Sequence, residues 1–201
     1  MRITPWWTIL VIVVASFVAC GSPGGAPGSP SQAGSGGPAL SAPSSVPVSG
    51  TASAGPGIRQ VSMMDACDGP TFNLAIGPGT CSRNGGVNFT EFVAQLTAHQ
   101  SAGAWRNAPA QTDASLGDAL TAVNNGGEVH TFTRVANFGG GIVPFLNDLA
   151  GTPNVAPECN SEGTFVPPGG SDSESLNQAG TLKFQCCIHP WMRTTVLVKS
   201  H

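Results

Sequence analysis

The chain has 201 residues and a net charge of −3, and charged residues make up only 9% of it. That balance leaves no basic face for phosphate backbones, so nucleic acid is not an expected partner. A large early share of the chain is Gly, Ser, Pro and Ala, so the part able to bury a core is much shorter than the whole, and one folded domain is expected.

Arg2 precedes an apolar run from Trp6 to Val18. The run falls short of the roughly 20 residues of a membrane-spanning helix and has the dimensions of a signal-peptide core. Phe17-Val18-Ala19-Cys20, followed by Gly21 and Ser22, resembles a bacterial lipobox, with Phe17 where Leu is usual. Residues 1–19 are therefore expected to be a lipoprotein signal and Cys20 the lipid attachment point; the alternatives are an ordinary secretory peptide or an uncleaved anchor. All three put the remainder outside the cytoplasm, on the periplasmic or extracellular face of a bacterial membrane. Residues 20–57 have almost no charge and few large apolar side chains, too few to repay ordering, and are expected to be a flexible tether.

Folded structure is expected from Ile58. Cys67 and Cys81 bracket an apolar stretch, Phe72 to Ile76, and are near enough in sequence to clip it with a disulfide in an oxidising compartment. Asn88-Phe89-Thr90-Glu91 resembles a capping box with Asn88 as N-cap. Phe89, Phe92, Val93 and Leu96 then share one helical face. Residues 58–100 thus read as an extension with a single amphipathic helix, ending near His99, whose ring is expected in solvent near the helix C-terminus.

Beyond Gly103 the pattern changes to short strands: Ala104 to Asn107, Ala119 to Asn124, Val129 to Val135, Thr181 to Cys186 and Thr194 to Lys199. They are β-branched or alternating and are separated by Gly, Asn and Pro. The fold class expected is mainly β, an antiparallel Greek-key sandwich or barrel over residues 101–201.

The segment Phe184-Gln185-Cys186-Cys187-Ile188-His189-Pro190-Trp191-Met192 sets a thiolate, an imidazole and a thioether three residues apart, with His130 as a second imidazole upstream. A soft thiolate, two neutral imidazoles and a weak thioether suit copper in an electron-transfer site. Zinc accepts the same nitrogen and sulfur donors but gives Met192 no role.

Cys186-x-x-His189-x-x-Met192 resembles the ligand loop of the cupredoxins, the type 1 blue copper proteins, in their amicyanin- and plastocyanin-like form. Leu116-Gly117-Asp118-Ala119-Leu120 with Val123-Asn124-Asn125-Gly126-Gly127-Glu128-Val129-His130 is similar to the strand and loop that deliver that family's first histidine, an asparagine standing six residues before it. Leu176 to Cys186 is similar to the strand leading into the copper cysteine, and Trp105 to Pro109 resembles the family's first strand. The resemblance covers roughly residues 101–201. It implies one copper per chain on His130, Cys186, His189 and Met192, single-electron transfer, and no catalysis of its own. Asn124 is the expected outer hydrogen-bonding residue, bridging the two ligand loops near the thiolate. Electrons are expected to pass at His189, ringed by a docking patch of Ile188, Pro190 and Trp191 for transient redox partners of a monomer; the loop Phe138 to Phe145 either extends that patch or simply covers the core. His201 is expected in solvent.

Adjacent strand residues face opposite ways, so Cys187 should not share the metal with Cys186. Setting aside Cys20 and Cys186 leaves Cys67, Cys81, Cys159 and Cys187, which allow three pairings; Cys67–Cys81 with Cys159–Cys187 is favoured. Two other functions remain open at this stage: a copper-delivery protein of metal homeostasis, and a non-redox surface domain that binds zinc or nothing. Methionine-rich and histidine-rich tracts, which would favour delivery, are absent, with four residues of each type in the chain.

Overall fold

The computed structural model describes residues 57–160 and 163–200. The expected signal, lipid site and nearly all of the tether lie outside this range, as does His201. Among the described residues no helix is long and apolar enough to cross a membrane.

Alternation of apolar and polar side chains builds the first sheet. Strand β1 (Ile58–Met64) turns Val61 and Met63 inward, and β4 (Ala119–Asn124) buries Leu120, Ala122 and Asn124. With β2 (Arg106–Ala108) and β8 (Ser171–Ser175) they form a four-stranded sheet in the order β2-β1-β4-β8. The second sheet, β3-β10-β9-β6, uses β3 (Gln111–Ser115), β6 (Thr133–Val135), β9 (Gly180–Gln185) and β10 (Arg193–Lys199). Here Leu182 and Phe184 of β9 and Val196 and Val198 of β10 point inward. The inward sets of both sheets share one core, the arrangement of a sandwich. A third, two-stranded piece pairs β5 (His130–Thr131) with β7 (Phe165–Val166).

Three expectations change. The sheets are mixed, not antiparallel throughout, because β1 runs parallel to β4 and β10 parallel to β3. Residues 58–100 are also not an appendage to a 101–201 domain. Strand β1 lies between β2 and β4, so removing it would open the sheet along both ladders.

The same segment holds two helices where one was expected. Helix α1 (Gly69–Ala75) starts at Asp68, whose carboxylate accepts from the Thr71 backbone N–H, with Pro70 in the first turn as helix starts favour. Helix α2 (Phe89–His99) starts at Asn88, whose side chain accepts from the Glu91 N–H at 2.9 Å. It stops at Gln100, which takes the left-handed conformation at φ 58°; His99 is exposed. The α2 face buries Phe92 and Leu96 in an aromatic cluster: Phe92 lies 4.5 Å from Trp105 and 5.4 Å from Phe72, ring centre to ring centre. A short helix α3 (Pro144–Leu149) and a 3-10 turn (Pro157–Asn160) follow. Disulfides join Cys67 to Cys81 and Cys159 to Cys187, the favoured pairing. The second ties the 3-10 turn to the residue after Cys186.

Candidate metal centre

Strand β9 ends at Gln185, and the chain turns through Cys186 to Met192 before β10. Two backbone bonds close this loop: Cys186 N–H donates to the Met192 carbonyl at 3.0 Å, and Met192 N–H to the His189 carbonyl at 2.9 Å. The closure gathers Cys186, His189 and Met192 into one short loop, and all three are buried. From the other direction, β5 begins at His130, fully buried. Its Nδ1 lies 3.8 Å from Cys186 Sγ, His189 Nδ1 lies 3.8 Å from the same sulfur, and the two nitrogens are 3.3 Å apart. The point equidistant from these donors is about 2.1 Å from each, the length of a metal–imidazole bond. Three buried donors converging at that spacing fit a resident metal ion, and a thiolate with two imidazoles and a thioether in the same loop suits copper.

The surroundings favour the thiolate and, in the metal-free chain, a proton on His130 that a bound metal would displace. Burial raises the Cys186 pKa, but His130 and His189 outweigh it and hold the thiol well below its ordinary value. Two backbone N–H groups also donate to the sulfur, from Thr131 at 3.4 Å and from His189 at 3.5 Å. Burial lowers the His130 pKa, yet hydrogen bonding to Asp65 and Cys186 carries it up to about 9.

The ring faces turned away from the sulfur are equally specific. His130 Nε2 is 3.0 Å from Asp65 Oδ2, and His189 Nε2 is 3.6 Å from Glu128 Oε2. Burial is the main reason the Glu128 pKa is raised, against the opposing pull of His189 and of the Trp105 indole, whose N–H donates to Glu128 Oε2 at 2.5 Å. Neither carboxylate was singled out from sequence. Asp65 has no local pattern to mark it, although the Gly126-Gly127 pair beside His130 was a signal that some group approaches closely there.

Asn124 does not bridge the ligand loops. Its amide donates to the carbonyls of Glu128 and Val166, both at 2.8 Å, and its oxygen accepts from Gly126 N–H at 2.8 Å, so it secures the turn before His130. The bridging residue is Thr131. Besides its N–H to the Cys186 sulfur, its hydroxyl accepts from Cys187 N–H at 2.7 Å.

The expected docking rim is also displaced. His189 and Pro190 are buried and Ile188 and Trp191 half-buried, because α2 and Trp105 pack over this end and bring Phe92 within 6.1 Å of the Trp191 ring. What reaches His189 is an apolar cleft of about 280 Å³, bounded by Ile76, Phe89, Phe92, Val143, Phe145 and Ile188. Ile76 and Phe145 are more than half exposed, at 57% and 53%. The loop from Phe138 to Phe145 therefore lines this approach.

No family profile matches the chain, and no curated protein matches it. Solved structures do. A purple cupredoxin from Nitrosopumilus maritimus aligns over 70% of this chain and 99% of its own, at 13% identity and a TM-score of 0.41. A reduced, Cu(I) form of an amicyanin variant at pH 4 aligns over 49% of this chain and 77% of its own, at 21% identity and a TM-score of 0.34. An oxidised amicyanin variant aligns over 45% and 70%, at 21% identity and a TM-score of 0.32. In this chain a two-sheet, mainly β architecture carries a buried cluster of His130, Cys186 and His189, with Met192 buried at the end of the same loop.

Proposed function

We propose that this chain is an exported blue copper protein that shuttles single electrons, with His130, Cys186, His189 and Met192 holding one type 1 copper. The observation that carries the reading is the buried triangle of Cys186 Sγ and the two histidine Nδ1 atoms, with edges of 3.8, 3.8 and 3.3 Å. Copper held by these residues would supply one-electron redox chemistry between a reduced donor protein and an oxidised acceptor. The chain's own contribution is rigidity and exclusion of water. Cys186 and His130 stand at the ends of sheet strands, the Cys159–Cys187 disulfide pins the intervening loop, and α2 closes the site from above. A donor set that barely moves keeps the reorganisation accompanying each transfer small.

In this reading the chain is a carrier and not an enzyme, and a partner approaches His189 by way of the apolar cleft. Lipid on Cys20 and the tether of residues 20–57 would hold the folded module close to the outer face of a membrane while letting it reach several partners.

The test is addition of Cu(II) to the purified, metal-free chain, followed by a visible spectrum and a redox titration. An intense thiolate-to-copper absorption that cycles reversibly is expected, and Cys186→Ser should abolish it. A colourless protein that keeps only Cu(I) would point to copper delivery, and one that prefers Zn(II) over copper would overturn the redox reading.

A further inference from the structure

Behind each imidazole stands a carboxylate from a segment outside the ligand loop. Asp65 follows the end of β1, and its side chain is completely buried. It is held there by backbone N–H groups: Gly127 donates to Oδ2 at 2.8 Å and to Oδ1 at 3.0 Å, Glu128 to Oδ2 at 3.1 Å, and Cys67 to Oδ1 at 3.1 Å. Every one of these backbone groups donates to the carboxylate, the pattern that favours its ionised form. Gly126 makes the approach possible, since a Cβ there would lie 1.9 Å from Asp65 Oδ2 and 3.1 Å from His130 Nε2. Glu128, 3.6 Å from His189 Nε2, is held in turn by Trp105.

We infer that Asp65 and Glu128 are positioning residues for the two ligand histidines, turning both Nδ1 atoms to the metal and biasing the site toward the oxidised ion. The inference rests on the copper reading. A thiolate with two neutral imidazoles leaves a net charge of +1 around Cu(II) and zero around Cu(I). Adding the Asp65 carboxylate makes those sums zero and −1. A carboxylate beside a ligand histidine attracts the doubly charged ion more than the singly charged one, so it stabilises Cu(II) relative to Cu(I) and lowers the reduction potential. Asp65, with its direct hydrogen bond to His130, is the stronger contributor. Glu128, at a longer distance, is the weaker one.

The experiment compares Asp65→Asn and Glu128→Gln with the parent chain, which keep the side-chain shape and remove the charge. Affinities for Cu(I) and Cu(II) would be measured by competition with chelators, and the potential by spectroelectrochemical titration. For Asp65→Asn, Cu(II) affinity should fall roughly 10–100-fold, the range for losing a hydrogen-bonded partner of a metal ligand, while Cu(I) affinity falls less. Each tenfold difference between the two raises the potential by about 59 mV. Glu128→Gln should move it in the same direction by less. Equal losses for both oxidation states, or an unmoved potential, would overturn the inference; if Asp65→Asn does not fold, an unmoved potential in Glu128→Gln does so. Should the parent chain fail to bind copper, the copper reading fails instead. Zn(II) affinity then still decides the positioning role, expected to drop in Asp65→Asn and overturning that role if unchanged.

Discussion

Thr131 and Cys186, 55 residues apart in sequence, meet through a backbone N–H that points at the sulfur from 3.4 Å, and the Thr131 hydroxyl captures the N–H of the next residue, Cys187, at 2.7 Å. One residue thereby sets the register between the strand that carries His130 and the loop that carries the other three candidate ligands. Thr131→Val keeps the shape and removes the acceptor, leaving a buried N–H unpaired. Unfolding of the metal-free chain in urea should show a loss of about 1–3 kcal/mol. The copper absorption should persist but shift, because the hydrogen bonding around the sulfur is disturbed.

Phe92 covers the His189 end of the site, filling the space between Trp105 at 4.5 Å and Trp191 at 6.1 Å. Phe92→Ala should cost about 3–5 kcal/mol in the same unfolding experiment. It should also widen the apolar cleft, so that a small oxidant such as ferricyanide reoxidises the reduced protein faster. An unchanged rate in stopped-flow measurements would mean that electrons do not leave on this side.

Gly141 sits where the 138–145 loop presses on the ligand loop. A Cβ there would lie 1.9 Å from the Cys187 carbonyl oxygen and 2.6 Å from its carbon, and the neighbouring Ile142 N–H donates to that same oxygen at 2.7 Å. A backbone carbonyl cannot step aside as a flexible side chain can, so Gly141→Ala must push the two loops apart. A drop in melting temperature together with weaker Cu(II) binding is expected. A variant with parent-like values in both would show that the loop does not brace the site.

Asp118 offers a pH test remote from the metal centre. Its carboxylate accepts from the backbone N–H of Ser115 at 2.9 Å and of Gly57 at 2.7 Å, and from Arg59 Nε at 3.1 Å. The Ser115 bond is the largest of the influences that hold its pKa below the ordinary carboxylate value of 3.8, with Gly57 next. A depressed folded-state pKa stabilises above the unfolded-state value and loses that contribution as the pH falls through the folded-state value. Asp118→Asn should therefore be less stable than the parent at neutral pH, and the gap should begin to narrow below about pH 4 and vanish beneath the folded-state pKa. A gap of constant size across the acid range would contradict this.

Local sequence was enough wherever spacing alone constrains geometry. Cys186, His189 and Met192 recur every third residue around a proline, and a short loop closed on itself has no other way to present them than together. Asn88 before the Phe89, Phe92, Val93 and Leu96 stripe marked the start of α2, because a cap and a helical period act over a few residues. The β-branched run of β10 and the alternation of β4 were legible for the same reason.

Only the tertiary structure decided the rest. Strand β8, Ser171–Ser175, reads SDSES with no buried residue, and nothing in its pattern announces a partner; β4 supplies one by ladder hydrogen bonds. Strand β1 enters the sheet by pairing with residues about sixty positions away, and that pairing delivers Asp65 to His130 and lays the helices over His189. Sequence spacing determines what one loop can present, whereas the surroundings of a ligand depend on which distant segments bury their apolar faces against each other. For this chain the donors Cys186, His189 and Met192 belong to the first kind of information, and their carboxylate backing, their bridge through Thr131 and their cover belong to the second.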